Sequence, residues 1–399
     1  MLITPACTVA AIFNTTMLSF KIFKTRKYFA PAFLYSCFSL IFSTWVTYIP
    51  YIADKLQITE GKIGGALFFT SFGSLIMTPL SNRLVSKAGV GRLAFFGFLF
   101  YAISLYGMFL APTYPLLCLA LFFFGTMSSV FAISVNSLTA QIEKQAGIYI
   151  MSGSHGFWSM GGIVGATTGS FIAGMHHKIP IMHITLLVII LIGIQLWLKK
   201  AYFQIRIEPN ATEKHRKFPV KPLLAIAAIG LVTMVSEGAI ADWSALYLKK
   251  VVLMKAQFLG LGYALFSFGM ALGRFAGDAL SHRLGSWKML RMAFGTSLVG
   301  FVFVLLGSPA GSLAGFFIIG TGFSVVVPEV YRLAAGIRGI KTADGVSVIA
   351  ATANIGFLTG PVVLGFIAEL HSLHLSFIVL GAFVSTAFLL SFYRRQPKS

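Results

Sequence analysis

The sequence predicts an all-α polytopic membrane protein, with twelve transmembrane helices in two pseudo-symmetric six-helix bundles. Composition is the first reason. Of 399 residues, 57% are hydrophobic and only 11% charged, and the mean hydropathy is +0.85. A water-soluble domain carries roughly 25% charged residues, so lipid must be the solvent for most of this chain. Run length is the second. Apolar stretches recur at about the 20 residues needed to cross a core near 30 Å thick, at about 1.5 Å per residue. They lack the alternation of barrel strands, and an open backbone in lipid can be satisfied only within helices or closed barrels. Charge placement is the third. Twenty-four of the 31 Lys and Arg residues fall between alternate runs and six fall in the other gaps.

In order, the spans are predicted at 29–53, 62–82, 93–112, 115–138, 148–174, 180–198, 222–248, 258–280, 289–307, 312–333, 345–369 and 374–393. This divides the chain into an N-terminal tail (1–27), a first bundle (28–198), a polar linker (199–221), a second bundle (222–393) and a short tail (394–399). Basic residues favour the cytoplasmic side, so both termini are expected there, in a multi-pass protein of a bacterial inner (plasma) membrane. The net charge of +20 is spread over those gaps rather than gathered on a soluble domain, and no nucleic-acid partner is expected. Residues 1–20 are apolar but contain Pro5 and Asn14, and their basic cluster follows rather than precedes them, the reverse of a secretory signal. They read as a tail, or translation starts at Met17. Cys7, Cys37 and Cys118 form no ligand pair. No metal and no cofactor is expected.

The halves repeat. Ala66-Leu67-Phe68 recurs as Ala264-Leu265-Phe266, Ser81-x-Arg83 as Ser281-x-Arg283, Gly125-Thr126 as Gly320-Thr321 and Gly156-Phe157 as Gly356-Phe357. Such duplication marks transporters whose site lies between the repeats. Gly89-x-x-Arg92 and Gly285-x-x-Lys288 close the loops after the second and eighth spans, where glycine permits a tight turn. These loops resemble the major facilitator motif of glycine followed by Asp-Arg-x-Gly-Arg, with Asn82 and His282 read in place of the acid. Arg274, Asp278 and His282 are four apart on one helical face, and an Arg274–Asp278 contact is expected. Arg83, Arg274, Asp278 and Arg283 are therefore the gating candidates.

Several segments resemble the YbjJ-type inner-membrane branch of the major facilitator superfamily, distantly similar to fucose permeases. They are Trp45-Val-Thr-Tyr-Ile-Pro50, His155-Gly-Phe-Trp-Ser-Met-Gly161, Glu237-Gly-Ala-Ile-Ala-Asp-Trp243, Gly273-Arg-Phe-Ala-Gly277, and Val346-Ser-Val-Ile-Ala with Gly360-Pro361. The resemblance implies the major facilitator fold, transport, and a cavity built from helices 1, 4, 7 and 10. Relatives usually carry arginine where this chain has Tyr48.

Ionisable side chains within spans cost at least about 2.5–3.5 kcal/mol and need a reason. Glu237, about 15 residues into the seventh span, is the expected proton-coupling or substrate-binding carboxylate. Asp242 lies about 140° further round the helix, so the two acids are not expected to form one cluster. His155 and Trp158 share a face of the fifth span; the histidine is either a packing residue or a binding and relay group. Glu329 follows Pro328 in the tenth span, and a pair with Arg332 is the simpler reading. Trp45 with Tyr48, and Trp243 with Tyr247, suit either interfacial anchoring or a sugar-binding wall, and Asn136 and Asn354 offer amides.

The expected function is secondary active transport of a small polar organic solute, proton-coupled (a symporter), by a monomer; the alternative is a proton-driven efflux antiporter for drugs or amphipathic metabolites. An enzyme is not expected. Ser152-x-Ser154-His155-Gly156 lacks the first glycine of a nucleophile elbow, and there is no His-Glu-x-x-His.

Overall fold

A computed structural model of the chain describes residues 23, 25–148, 150–173, 179–206, 223–337 and 342–392, with the side chains at positions 82, 86, 152, 179, 275–279, 282, 342–344, 346, 347 and 350 outside the description. Residues 1–20 also lie outside it.

Thr25 opens the first helix by accepting a hydrogen bond from the Tyr28 amide, which satisfies one of the donors a helix start leaves free. The first half then runs through α1 (Arg26–Leu56), α2 (Glu60–Ala88), α3 (Val90–Leu110), α4 (Tyr114–Ala146), α5 (Met151–Ala173) and α6 (Ile179–Tyr202). The second half contains α7 (Leu224–Lys250), a 3-10 turn (Ala256–Phe258), α8 (Leu261–Leu284), α9 (Ser286–Leu305), α10 (Pro309–Phe323), α11 (Val326–Ala335), α12 (Thr342–Leu370) and α13 (Leu373–Leu390). Among the described residues, eleven segments are long and apolar enough to cross a membrane. The remaining span is α5, whose apolar residues are diluted by glycine, serine and threonine.

Four boundaries differ from the sequence reading, the first at α2, which runs six residues past position 82 to Ala88. Helix α4 continues past Leu138 to Ala146, where Gly147 caps it at φ +63°; the hydropathy ends before the helix does. The tenth span is broken into α10 and α11. Pro328 has no N–H to give the preceding turn, so an unbroken ladder was unavailable there. The linker begins as helix, since α6 reaches Tyr202. Beyond it the chain docks on the α2–α3 turn, with the Gly91 amide donating to the Ile205 carbonyl (3.0 Å). A side chain at Gly91 would lie 1.9 Å from the Tyr202 carbonyl oxygen.

The repeat is visible as matched backbone contacts. In the first half α2 packs on α4, and a Cβ at Gly125 would lie 1.8 Å from the Thr70 carbonyl oxygen; in the second, α8 packs on α10, and a Cβ at Gly320 would lie 2.0 Å from that of Phe266. Likewise α1 packs on α5 and α7 on α12, with Gly161 against Ser36 and Gly356 against Leu231. The turns after α2 and α8 both carry positive φ, at Gly89 (+88°) and Gly285 (+74°).

These contacts fix the register. Gly125 matches Gly320 as expected, whereas Gly356 answers to Gly161, so pairing it with Gly156 was five residues out. Counted from Gly89 and Gly285, Arg283 corresponds to Lys87 and His282 to Ser86; matching them to Arg83 and Asn82 was four out.

The halves meet through α1 with α7, α2 with α12 and α5 with α8. Large apolar side chains on the outside of α3, α6 and α9 (Phe100, Leu186, Ile189 and Val302 among them) are more than half exposed. That is the lipid-facing shell of the bundle.

Candidate functional site

Between the halves lies a cavity of about 680 Å³, within the usual range for small-molecule sites. Its charged lining comes from the second half alone: Glu237 and Asp242 from α7, and Arg274 from α8. The first half supplies Trp45 from α1, Asn136 from α4, Trp158 and Ser159 from α5, and a hydroxyl stripe from α2. That stripe is Thr70, Ser74 and Thr78, four residues apart and therefore on one helical face. The sequence reading overlooked it, although polar residues every fourth position in an apolar span were there to be seen.

Along the axis the cavity is closed at one end. At the end away from the start of α1 and the finish of α13, Lys249 is paired with Asp54 and Lys250 with Glu60 (2.5 Å), each across the halves. There Thr59 donates to Glu369 (2.9 Å), and Gly64 of α2 sits against Pro361 and Gly365 of α12. Cross-half hydrogen bonds continue to mid-helix, with Ser71 donating to the Phe357 carbonyl (3.0 Å) and Arg274 to Ser159 (3.3 Å). Toward the terminal end the lining residues Asn136, Asn354 and Leu75 are exposed.

The acids are poorly satisfied by the protein. Oε1 of Glu237 is buried with no hydrogen-bond partner among the described residues. Asp242 is 8% exposed and makes none either. Arg274 is within electrostatic reach of Glu237, while its hydrogen bond goes to Ser159. A buried polar atom left without a partner costs about 1–3 kcal/mol.

The predicted site residues divide. Glu237, Asp242, Trp45, Trp158, Asn136 and Asn354 all line the cavity. Glu237 and Asp242, expected not to form one cluster, both reach the same cavity. The cavity takes positions 237, 238, 241 and 242 of α7, so the two acids stand at the opposite edges of an arc about 140° wide. Arg274, expected at a gate, is also in the lining.

Tyr48 does not share the environment of Trp45. It is fully buried toward α6, where its hydroxyl and Nδ1 of His183 share a hydrogen bond of 3.1 Å. Trp243 and Tyr247 are not interfacial anchors. Both are fully buried in the second half, Tyr247 donating to the Val304 carbonyl (3.0 Å) with its ring against Phe377 (4.3 Å between centroids). His155 packs on Tyr35 (4.6 Å), whose hydroxyl donates to Asn136 (2.6 Å); it is exposed and is not among the lining residues.

Glu329 is withdrawn from the cavity altogether. It pairs with Arg332 (2.5 Å), as the simpler reading had it, and both meet Ser281 of α8. Arg83 and Arg283 are exposed near the ends of α2 and α8. The side chain of Asp278 lies outside the described residues, and with it the expected Arg274–Asp278 contact. Among the described residues, no three His, Cys, Asp or Glu side chains gather as a metal would require.

Comparison with known proteins agrees with this architecture. A transporter of Sinorhizobium fredii, y4wD, is 28% identical over 359 residues, covering 88% of this chain and 94% of that one. An MFS-type transporter of Yersinia pestis is 30% identical over 339 residues (84% and 87% covered), and the membrane protein MosC of Rhizobium meliloti is 28% identical over 366 (90% and 88%). Among solved structures, a mutant of the nucleoside transporter NupG superposes with a TM-score of 0.72 at 12% identity, covering 92% of this chain and all of that one. A bacterial homologue of the human lysosomal transporter Spinster, solved inward-facing and unoccupied, gives 0.69 at 14% identity, with 92% and 97% covered. At such identities the likeness concerns the fold. The family model of the Major Facilitator Superfamily matches residues 31–337. The chain is a multi-pass membrane protein of the Major Facilitator Superfamily.

Proposed function

We propose that this transporter moves a small polar organic solute by alternating access, coupled to protons, with Glu237 as the coupling carboxylate. The observation that carries the reading is the buried, unpartnered Glu237 oxygen on the wall of a cavity enclosed by both halves. A carboxyl group there can hold a proton when the site is empty and release it when another partner takes its place.

The cavity is closed at the far end by cross-half ion pairs and lined by exposed residues at the terminal end. With basic residues concentrated at the terminal end, that opening faces the cytoplasm. Rocking of the halves would break the far-end contacts and close the other side.

The test is transport in proteoliposomes of a compound that stabilises the purified protein. Under an imposed proton gradient wild-type protein should accumulate it, and Glu237→Gln should abolish accumulation while leaving the protein folded and monodisperse. Undiminished accumulation by Glu237→Gln would remove this residue from the coupling step. Direction is a separate matter. The aromatic wall of Phe38, Phe42, Trp45, Trp158 and Phe357 favours the export of amphipathic compounds as a second reading. A gene deletion separates the two: sensitivity to toxic compounds marks export, and loss of a nutrient's uptake marks import.

A further inference from the structure

We infer that the solute carried in this cavity is a small organic cation, with a protonated amine drawn by the carboxylates that Glu237 and Asp242 bring to the lining, and its body among the aromatic lining residues that include Trp45 and Trp158. The inference rests on the transport reading above and narrows its substrate class.

Charge balance is the first step. The lining holds two carboxylates and one guanidinium. The ion pairs of the described residues lie elsewhere, at Lys249–Asp54, Lys250–Glu60 and Arg332–Glu329. Even if Arg274 is assigned wholly to Glu237, Asp242 remains more than nine-tenths buried with no hydrogen bond among the described residues. An isolated buried carboxylate is costly unless paired. A neutral polyol would supply hydroxyl donors but no charge, and an organic anion would leave both acids opposed to it. An ammonium group supplies a positive charge and up to three N–H donors at once.

The walls fit the same class. Trp158 stands edge-on to Phe38 (4.7 Å between centroids), and Trp45, Phe42 and Tyr263 belong to the same lining. Ring faces attract a cation within about 6 Å and also accept the apolar body of an amine. Ser74, Thr78 and Asn136 remain for hydroxyl or carbonyl groups on the same molecule. A cation and a proton would also compete for one acid, so the charge of the solute and the coupling step bear on the same side chains.

The experiment uses the full-length protein in nanodiscs and a metabolite library built from triples of similar size that differ in charge. One triple is tyramine, tyrosol and 4-hydroxyphenylacetate; another is glucosamine, glucose and gluconate. Thermal stabilisation should concentrate among the cations of the triples, with the neutral and anionic partners at least tenfold weaker. Asp242→Asn and Glu237→Gln should each weaken the best cation at least tenfold. Asp242→Glu, which keeps the charge, should retain more of the affinity than Asp242→Asn. Stabilisers that are neutral or anionic overturn the cation class and leave the transport reading standing. A library in which nothing binds strikes both. Should the acid variants fail to fold, the charge profile of the wild-type protein decides alone.

Discussion

Where α1 brings Phe42 to the cavity, α7 brings Glu237; five residues on, Asp242 lines the cavity while its counterpart Thr47 of α1 is buried beside Gly169 and Gly260. The pairing follows from the glycine contacts that relate α1–α5 to α7–α12. Matched glycines approach matched carbonyls in both halves, because two helices packed that closely leave no room for a side chain in either copy. Cavity-facing positions carry no such demand. A side chain there meets water or solute rather than a neighbouring backbone, so the duplicated sequences diverged where packing did not hold them. The first half presents rings, hydroxyls and an amide; the second presents both acids and the guanidinium.

The largest effect should come from breaking the chemistry of one half only. Glu237→Gln or Asp242→Asn is expected to lower proton-driven uptake in proteoliposomes more than tenfold. Asn136→Ala or Ser74→Ala, in the first half, should lower it two- to threefold. Equal losses from both halves would mean that the charged side chains are not set apart in function as they are in position.

The shared scaffold is tested by Gly125→Ala and Gly320→Ala. Each new methyl would meet a carbonyl oxygen closer than any real contact, and overpacking of this kind costs about 1–3 kcal/mol or more. Both variants should lower the melting temperature by several degrees and by similar amounts. Gly193→Ala is the control, since nothing lies within 4 Å of that position, and alanine there should match or exceed wild type, being about 1 kcal/mol better than glycine in a helix. A large loss at Gly125 with none at Gly320 would argue that only the first copy still depends on the close approach.

Much of this was legible in the sequence, for reasons that also explain what was not. Apolar run length is imposed by the bilayer, so the spans were readable to within a few residues, except where α2 and α4 leave the apolar zone as helix and where Pro328 divides a span. Glu237 was found because a carboxylate in a span is costly, and Trp45, Trp158, Asn136 and Asn354 because tryptophan and asparagine there are few. What failed was reasoning about direction from one helix at a time. Tyr48 follows Trp45 by less than a turn, yet one faces the cavity and the other faces α6. Helix rotation gives the angle between two side chains, but only the neighbouring helices say how wide an arc of α7 the cavity occupies. Short matches also slid by four or five residues, because glycine and phenylalanine recur often enough to align by accident.

Glu329 sharpens the contrast between acids inside and outside the cavity. It is 1% exposed, and Arg332 and Ser281 hold its Oε1. Glu329→Gln should therefore act on stability, removing the charge that Arg332 faces and lowering the melting temperature by a few degrees. Uptake per folded molecule should remain within twofold of wild type. A tenfold loss of uptake without loss of stability would instead place this acid in the transport cycle.

The smallest effect expected is at the closed end. Lys249–Asp54 and Lys250–Glu60 are partly exposed, with Asp54 at 63% and Lys250 at 42% of side-chain exposure, and exposed pairs are worth about 0–1 kcal/mol each. The α2–α12 contact beside them depends on Gly64, Gly365 and Pro361 fitting together, which salt does not screen. Replacing Asp54 and Glu60 together by alanine should thus raise the far-end-open population no more than about thirtyfold, the factor for 2 kcal/mol. High salt should mimic part of that shift. Spin labels at Thr113 and Leu253, exposed far-end positions in opposite halves, would report it as a second, longer distance by pulsed electron resonance. If the double variant leaves the distance distribution untouched, helix packing alone holds this end shut. If it opens the protein completely, the ion pairs carry far more than their exposure allows, and the glycine contact is their consequence rather than their partner.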